Sequence, residues 1–136
     1  MTPAILVIDD EDLIVKSLIK LFAKAGYQTL TSLSGREAVQ TIGERHVDLI
    51  LCDIRMPGQN GIDTIKEISR LRQDQKKEMP PVVFLTGYAD PLLESAAREL
   101  EPLAYLLKPF DAFQLLQLIQ TTFGGRSSEL KAPRRK

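Results

Sequence analysis

Residues 4–10 are Ala-Ile-Leu-Val-Ile-Asp-Asp, five apolar side chains followed by two aspartates. A short, continuous apolar run is typical of a strand that is buried on both faces, as in a parallel sheet. Similar runs occur at residues 47–52, 81–85 and 103–107, and a more polar run of good strand formers occupies residues 27–31. The sequence therefore predicts five strands, with the polar second strand at an edge of the sheet.

Helical patterns separate these runs. Apolar residues recur every three or four positions in the first and third helices, at Ile14, Leu18, Leu21, Phe22 and Ala25, and at Ile62, Ile65, Ile68 and Leu71. Predicted helix caps are Ser34 (with Glu37), Asp90 (before Pro91) and Asp111, and predicted helix stops are Gly26 and Gly124–Gly125. Five strand and helix pairs are too few for an eight-stranded barrel. We therefore expect an α/β, flavodoxin-like (βα)5 three-layer sandwich around a five-stranded parallel sheet of order 2-1-3-4-5.

Composition places the chain among single soluble domains. Its 136 residues are 43% hydrophobic and 26% charged, which is enough to bury one core. No apolar run is long enough for a membrane span and no signal peptide is recognisable, so we expect a cytoplasmic protein without a membrane contact. The single cysteine, Cys52, lies in an apolar run and is interpreted as a small buried hydrophobe.

Charge is distributed unevenly along the chain. Residues 126–136 carry five basic side chains and one Glu, whereas the whole chain has a net charge of zero. The remainder is therefore mildly acidic, which argues against nucleic-acid binding by the folded part. We expect one domain at residues 1–123 and a flexible basic tail or truncated linker at 124–136.

Three carboxylates follow the strands that we expect to be neighbours. Asp9 and Asp10 come directly after the first strand, and Asp53 ends the third. In open parallel sheets the carboxyl ends of the strands form the ligand-binding edge. Carboxylates at such short distances from one another require a counter-cation. A set of oxygen ligands favours a hard ion such as Mg2+.

Two further polar residues belong to the same edge. Thr86 ends the fourth strand, and Lys108 follows the fifth. A carboxylate nucleophile, a divalent cation, a hydroxyl and an ammonium together suit phosphoryl transfer, because phosphoryl oxygens need positive charge and hydrogen-bond donors. The edge therefore predicts a site suited to a phosphoryl group.

Each residue taken singly has a simpler interpretation. An aspartate at a strand end often caps a helix or starts a turn, threonine is a common strand residue, and most lysines are solvated. Tyr105 on the last strand is by default a core or edge aromatic. The lone His46 is interpreted as a solvated loop residue rather than a metal ligand or phosphorylation site.

The motifs, taken in order along residues 4 to about 123, resemble the receiver domains of bacterial two-component response regulators. They are Ile5-Leu6-Val7-Ile8-Asp9-Asp10-Glu11, Asp53 with Met56-Pro57-Gly58 and Gly61, Thr86-Gly87, and Lys108-Pro109-Phe110. The resemblance implies a chemotaxis-regulator-like switch that receives a phosphoryl group on Asp53. It implies no catalytic role beyond the domain's own phosphorylation and dephosphorylation.

The resemblance also assigns roles around the acceptor. Asp10 would bind Mg2+ directly, Asp9 largely through water, and Asp53 and the backbone carbonyl of Arg55 would complete the protein ligands. Thr86 and Lys108 would contact the phosphoryl oxygens, and Tyr105 would move into the space that Thr86 leaves, altering the surface of the fourth helix, fifth strand and fifth helix. A cis bond between Lys108 and Pro109 is implied as well.

Arg55 and Tyr88 match positions that vary in the family and flank the attacking water. Both are bulky, so we expect them to shield the acyl phosphate and slow its hydrolysis.

Three other functions compete with this interpretation. A haloacid-dehalogenase-like phosphohydrolase uses similar chemistry, but its Asp-x-Asp motif after the first strand is replaced here by adjacent aspartates and a separate Asp53. A degenerate receiver that scaffolds a partner is disfavoured by the complete set of acids, Thr86 and Lys108. A flavodoxin is disfavoured because acidic residues stand where a flavin phosphate would need Ser, Thr and Gly.

The expected partners follow from the resemblance. They are a sensor histidine kinase or phosphotransfer protein, and an effector or a covalently linked output domain, with a homodimer forming on phosphorylation. The short tail predicts either a stand-alone receiver or one taken from a longer protein.

Overall fold

The computed structural model describes residues 2–56 and 58–127. The strands are β1 (Ala4–Ile8), β2 (Gln28–Ser32), β3 (Leu49–Asp53), β4 (Val82–Thr86) and β5 (Ala104–Leu107). The helices are α1 (Asp12–Lys24), α2 (Gly35–Glu44), α3 (Gly61–Asp74), α4 (Pro91–Arg98) and α5 (Ala112–Ser127). The strands pair in parallel in the order β2-β1-β3-β4-β5. The predicted fold class and strand order are confirmed.

The sheet separates two apolar cores. One lies against α2, α3 and α4, and the other against α1 and α5. Alternate residues of β1 serve the two cores: Leu6 and Ile8 face the first, and Ile5 and Val7 the second. This is why the inner strands are apolar at every position except the last residues of β3 and β4, Asp53 and Thr86. Cys52 is buried in the first core, as predicted.

The last strand departs from the prediction of burial on both faces. β5 is the second edge of the sheet, and its only strand neighbour is β4. Its residues are partly exposed, with Leu107 at 49%. The apolar run predicted the strand correctly but did not indicate that one side of it lacks a neighbour.

Side-chain caps fix the starts of four helices. The predicted caps are confirmed, because Ser34, Asp90 and Asp111 each accept backbone N–H groups of the following turn. Asn60, which was not among the predicted caps, caps α3: its side-chain oxygen accepts a hydrogen bond from the Asp63 N–H at 2.9 Å. Each cap satisfies donors that the helix itself leaves unpaired. α3 and α5 therefore begin at defined points beside the carboxyl ends of β3 and β5.

The end of α5 was predicted wrongly. The helix continues through Gly124 and Gly125 to Ser127, since glycine costs about 1 kcal/mol in a helix interior but does not forbid it sterically. Residues 128–136, which hold most of the predicted basic tail, lie outside the described residues, as does Pro57. Within the described part of the chain, no helix is long and apolar enough to cross a bilayer.

Gly61 lets α3 approach the end of β3 closely. A Cβ at this position would lie 2.2 Å from the carbonyl oxygen of Asp53 and 2.9 Å from the Cys52 sulfur. The Gly61 N–H also donates to the Ile54 carbonyl at 2.7 Å. The backbone of Asp53 is therefore held by a contact that only glycine permits.

Gly61→Ala is expected to lower the free energy of unfolding by about 2–3 kcal/mol, because backbone atoms cannot move aside as a flexible side chain would. Urea unfolding measures this. Gly43→Ala in α2 is the control, since its Cβ would make only an ordinary 3.6 Å contact with Leu71. That control is expected to be neutral or to stabilise by up to about 1 kcal/mol. Equal effects of the two substitutions would contradict the close-approach argument.

Candidate metal centre at the strand ends

Three aspartates meet at the carboxyl ends of β1 and β3. Asp9 is fully buried, Asp53 is buried and Asp10 is exposed. One carboxylate oxygen from each lies within 4.8 Å of the other two. The convergence expected from the strand order is present, because β1 and β3 are paired neighbours.

Lys108 inserts its ammonium group among these acids. Its Nζ lies 2.9 Å from Asp9 Oδ2, 3.3 Å from Asp53 Oδ2 and 2.5 Å from Glu11 Oε1. The side chain is only 10% exposed. The loop that carries it is tied to β4 by the Lys108 N–H, which donates to the Thr86 carbonyl at 2.7 Å. The expected cis bond between Lys108 and Pro109 is present.

Backbone donors hold the other oxygens of the two buried acids. Asp9 Oδ1 accepts from the Glu11 N–H at 2.9 Å, and Asp53 Oδ1 accepts from the Arg55 N–H at 3.3 Å. Each buried carboxylate therefore has one oxygen on a backbone N–H and the other on Lys108. This arrangement fixes both carboxylate orientations, since buried charges persist when they are paired and hydrogen-bonded.

The electrostatics of the cluster oppose the charge on Asp53. Burial, and then the Asp9 carboxylate, raise the pKa of Asp53 from 3.8 to about 6, although Lys108 and the Arg55 N–H act in the opposite direction. Burial alone would lower the pKa of Lys108, but its bonds with Glu11 and Asp9 outweigh that effect and raise it. The cluster therefore holds a permanently charged ammonium beside a carboxylate that is costly to ionise.

The raised pKa has a consequence for the stability of the metal-free protein. Because the folded state binds the Asp53 proton more tightly than the unfolded state, this proton stabilises the fold at low pH, and the stabilisation is lost as pH rises through about 6. Relative to Asp53→Asn, the wild type is expected to lose about 1 kcal/mol between about pH 5 and 7.5, after allowance for solvent screening. Urea unfolding of both proteins in metal-free buffer measures the difference. A gap that stays constant with pH would contradict the assigned pKa.

The donor set fits a hard divalent cation. The carboxylates of Asp9, Glu11 and Asp53 share the Lys108 ammonium, and Asp10 lies beside Asp9 and Asp53, so the cluster has more acidic than basic side chains. Two ligands of one Mg2+ lie at most about 4.2 Å apart, slightly closer than the 4.8 Å limit within which the three aspartate oxygens lie. A small movement would bring these oxygens into one coordination sphere, and a metal-bound water would link to the ion any carboxylate that stays farther away.

Thr86 and Tyr105 are near the site but outside the cluster. The Thr86 hydroxyl accepts from the Tyr88 N–H at 3.2 Å and donates to the Tyr88 carbonyl at 3.5 Å. The Tyr105 hydroxyl is buried and has no hydrogen-bond partner among the described residues, and Arg98 lies 5.6 Å from the ring centroid. Neither hydroxyl contacts Asp53 in this state.

Arg55 and Tyr88 stack on each other beside the acidic cluster. The guanidinium carbon of Arg55 lies 4.0 Å from the centroid of the Tyr88 ring, a cation–π distance. Both side chains line the cleft of about 600 Å³ that also contains Asp53 and Lys108. The pair therefore forms part of the wall of the cleft that contains Asp53.

Two further polar residues, Glu11 and His46, lie at different distances from the site. Glu11 was quoted only as part of a motif, yet it makes the shortest of the Lys108 contacts. His46 Nε2 lies 2.8 Å from Asp48 Oδ1, just before β3 begins and therefore at the opposite end of the strands from the acidic cluster. It is therefore remote from the site, in keeping with its exclusion as a candidate.

Known proteins resemble this chain over most of its length. The family model of the response regulator receiver domain matches residues 5–120. The chain is similar to the regulatory protein AtoC of Escherichia coli (strain K12), with 36% identity over 118 residues, which are 85% of this chain and 24% of AtoC. It is also similar to the polar-differentiation response regulator DivK of Brucella ovis, with 31% identity over 124 residues, 91% of this chain and 98% of DivK.

A solved structure supports the fold. The response regulator receiver domain protein (CheY-like) from Methanospirillum hungatei JF-1 superposes with a TM-score of 0.83 at 23% identity, covering 95% of this chain and 99% of that one. The chain thus spans about a quarter of the length of AtoC and nearly the whole of DivK.

Proposed function

This chain belongs to the response regulator receiver domain family, and on that premise we propose that it is a phosphorylation-dependent switch that accepts a phosphoryl group on Asp53. The observation that carries the proposal is the position of Lys108, whose ammonium lies within 3.3 Å of both Asp9 and Asp53. A lysine beside a buried acceptor carboxylate supplies the charge that phosphoryl oxygens need.

Mg2+ is the proposed cofactor. Asp10 would bind it directly and Asp9 largely through water, with Asp53 and the backbone carbonyl of Arg55 as the other protein ligands. The ion supplies positive charge against the transferred phosphoryl oxygens. Asp10 is exposed beside the buried Asp9 and Asp53, so an incoming ion can reach its carboxylate, which supports its role as a direct ligand.

The protein's own groups perform the transfer. A carboxylate oxygen of Asp53 attacks phosphorus, and the bond between phosphorus and the donor's leaving atom breaks; this atom is an imidazole nitrogen of a phosphohistidine or the acetate oxygen of acetyl phosphate. The leaving group departs with that electron pair. The Lys108 ammonium keeps its protons and turns them toward a phosphoryl oxygen. The Thr86 hydroxyl exchanges its Tyr88 contacts for a phosphoryl contact, and Tyr105 moves into the space that becomes free.

The switched surface comprises α4, β5 and α5. Four exposed apolar side chains on or beside this surface support its use in protein contact: Leu92, Leu103, Leu107 and Phe113. A conformational change of this kind signals only if a partner distinguishes the two states. The proposed partners are a histidine kinase or phosphotransfer protein as donor, and an effector or linked output domain as receiver of the signal, with homodimerisation on phosphorylation.

This function makes the protein a regulatory phosphoacceptor in the cytoplasm, rather than an enzyme with an external substrate. The family match, and the position of Asp53 at the end of β3 rather than in an Asp-x-Asp motif after β1, support this role over phosphohydrolase activity. It requires no contact of this domain with nucleic acid or a membrane.

Acetyl phosphate tests the proposal without a cognate kinase. We expect one phosphate adduct per chain, measured by intact mass, when the donor is supplied with Mg2+, and none when EDTA replaces Mg2+. An adduct that forms equally well in EDTA, or its absence under both conditions, would contradict the proposed chemistry. Steady turnover of a small phosphomonoester would instead support the phosphohydrolase.

The stack of Arg55 on Tyr88 is expected to shield the acyl phosphate. Arg55→Ala should raise the rate of autodephosphorylation about two- to fivefold, the rate equivalent of a cation–π contact worth 0.5–1 kcal/mol. Decay of the mass adduct after removal of donor measures this rate. Arg70→Ala on the exposed surface of α3 is the control, and a decay rate that Arg55→Ala leaves unchanged would end the shielding hypothesis.

A further inference from the structure

The side chain of Glu11 is committed to Lys108 rather than to its own helix. Glu11 is the N-cap residue of α1, but its side chain makes no capping hydrogen bond. Its carboxylate instead lies 2.5 Å from Lys108 Nζ, while its backbone N–H holds Asp9 Oδ1 at 2.9 Å. One residue therefore fixes both the lysine and one of the buried acids.

The three acids that share Lys108 differ in how easily they can release it. The side chains of Asp9 and Asp53 are 0% and 5% exposed, whereas that of Glu11 is 56% exposed. A buried carboxylate that loses its cation is left without compensation, but an exposed one is rehydrated at little cost. Glu11 is therefore the partner that Lys108 can leave most readily.

We propose that Glu11 is a positioning residue that holds Lys108 in the position it occupies before Asp53 is phosphorylated. Glu11 then competes with the phosphoryl group for the Lys108 ammonium. The inference rests on the proposed function of Asp53 as acceptor. Formation of the Asp53–phosphorus bond, with acetate leaving when acetyl phosphate is the donor, places new oxygens beside Lys108. The ammonium then transfers a hydrogen bond from Glu11 to a phosphoryl oxygen without losing a proton.

Competition predicts that loss of the Glu11 contact speeds phosphorylation. In Glu11→Gln the neutral amide binds the ammonium more weakly, so the maximal rate with acetyl phosphate at saturating Mg2+ should rise about two- to fivefold, as expected for an exposed ion pair. Glu11→Asp keeps the charge but shortens the side chain by one methylene, and it should show the same rise. The increase should appear in the maximal rate, with little change in the acetyl phosphate concentration at half-maximal rate.

Asp12→Asn is the matched control for charge alone. Asp12 is the next residue, it is exposed, and it pairs with Lys16 at 3.1 Å rather than with Lys108. If both Glu11→Gln and Asp12→Asn raise the rate equally, or if Glu11→Asp behaves like the wild type, general repulsion of the anionic donor explains the effect and the proposal is wrong.

A second measurement observes the contact in metal-free, unphosphorylated protein. The Lys108 ammonium should give a 15N-edited NMR signal that exchanges slowly with water, assigned by its absence in Lys108→Met. Glu11→Gln should broaden this signal and Asp12→Asn should not. A signal that Glu11→Gln leaves unchanged would overturn the proposal. Failure of the wild type itself to take up phosphate would instead remove the function on which the inference rests.

Discussion

Asp53→Asn is expected to take up no phosphate from acetyl phosphate in the presence of Mg2+. The amide lacks the nucleophilic carboxylate oxygen, although its size and its hydrogen bond from the Arg55 N–H can be retained. In the proposed mechanism Asp53 alone is both a metal ligand and the acceptor, whereas Asp9 and Asp10 serve only the metal. Intact mass measured over the labelling time of the wild type tests this loss.

Asp63→Asn provides the control for this substitution. Asp63 is an exposed aspartate in the first turn of α3 and lies outside the acidic cluster. It should leave the adduct at the wild-type level. An adduct that persists in Asp53→Asn would assign the phosphoryl group to another residue.

Asp10→Asn is expected to abolish stabilisation by Mg2+, and with it phosphorylation. A ligand that binds only the folded protein stabilises it by about 2.7 kcal/mol at a concentration about 100 times its Kd. Because Asp10 is exposed, replacing it should cost the metal-free fold little. Urea unfolding with and without Mg2+ should therefore show a large difference for the wild type and almost none for Asp10→Asn.

Asp12→Asn again separates a ligand from a nearby charge. It removes one exposed carboxylate two residues further on, which pairs with Lys16. Its stabilisation by Mg2+ should remain close to that of the wild type. If Asp10→Asn retains full stabilisation, Asp10 is not a ligand.

The fold was predictable because burial constrains the inner strands on both faces. β1 and β3 each lie between two neighbours and between two helical layers, so an apolar residue is needed at every position before the terminal aspartate. The sheet edge that collects Asp9, Asp10 and Asp53 follows from strand order alone. Strand order and strand ends thus carry most of the information about where the acids meet.

Contacts between side chains were not predictable in the same way. Glu11 and Lys108 are separated by 97 positions, and their contact depends on the path of the loop after β5. The stack of Arg55 on Tyr88 depends similarly on two loops. A sequence pattern reports the face on which a residue lies, whereas such pairs depend on side-chain rotamers and loop geometry.

The errors have related causes. The apolar run of β5 suggested burial on both faces, but an apolar edge strand has the same pattern. The two glycines near residue 124 suggested a stop, although a helix tolerates glycine at moderate cost. The assignment of Thr86 to a phosphoryl contact is not among these errors and stays a prediction, because its hydroxyl is bonded here to the backbone of Tyr88.

Chemical mapping of the phosphorylated residue is the most direct test of the proposed acceptor. Borohydride reduces an aspartyl phosphate to homoserine, which tandem mass spectrometry of the digested protein locates within the chain. After labelling with acetyl phosphate and Mg2+, we predict homoserine at position 53 and at no other aspartate. Homoserine at position 9 or 10, or a phosphate adduct that yields no homoserine, would contradict the assignment of Asp53 as the phosphoryl acceptor.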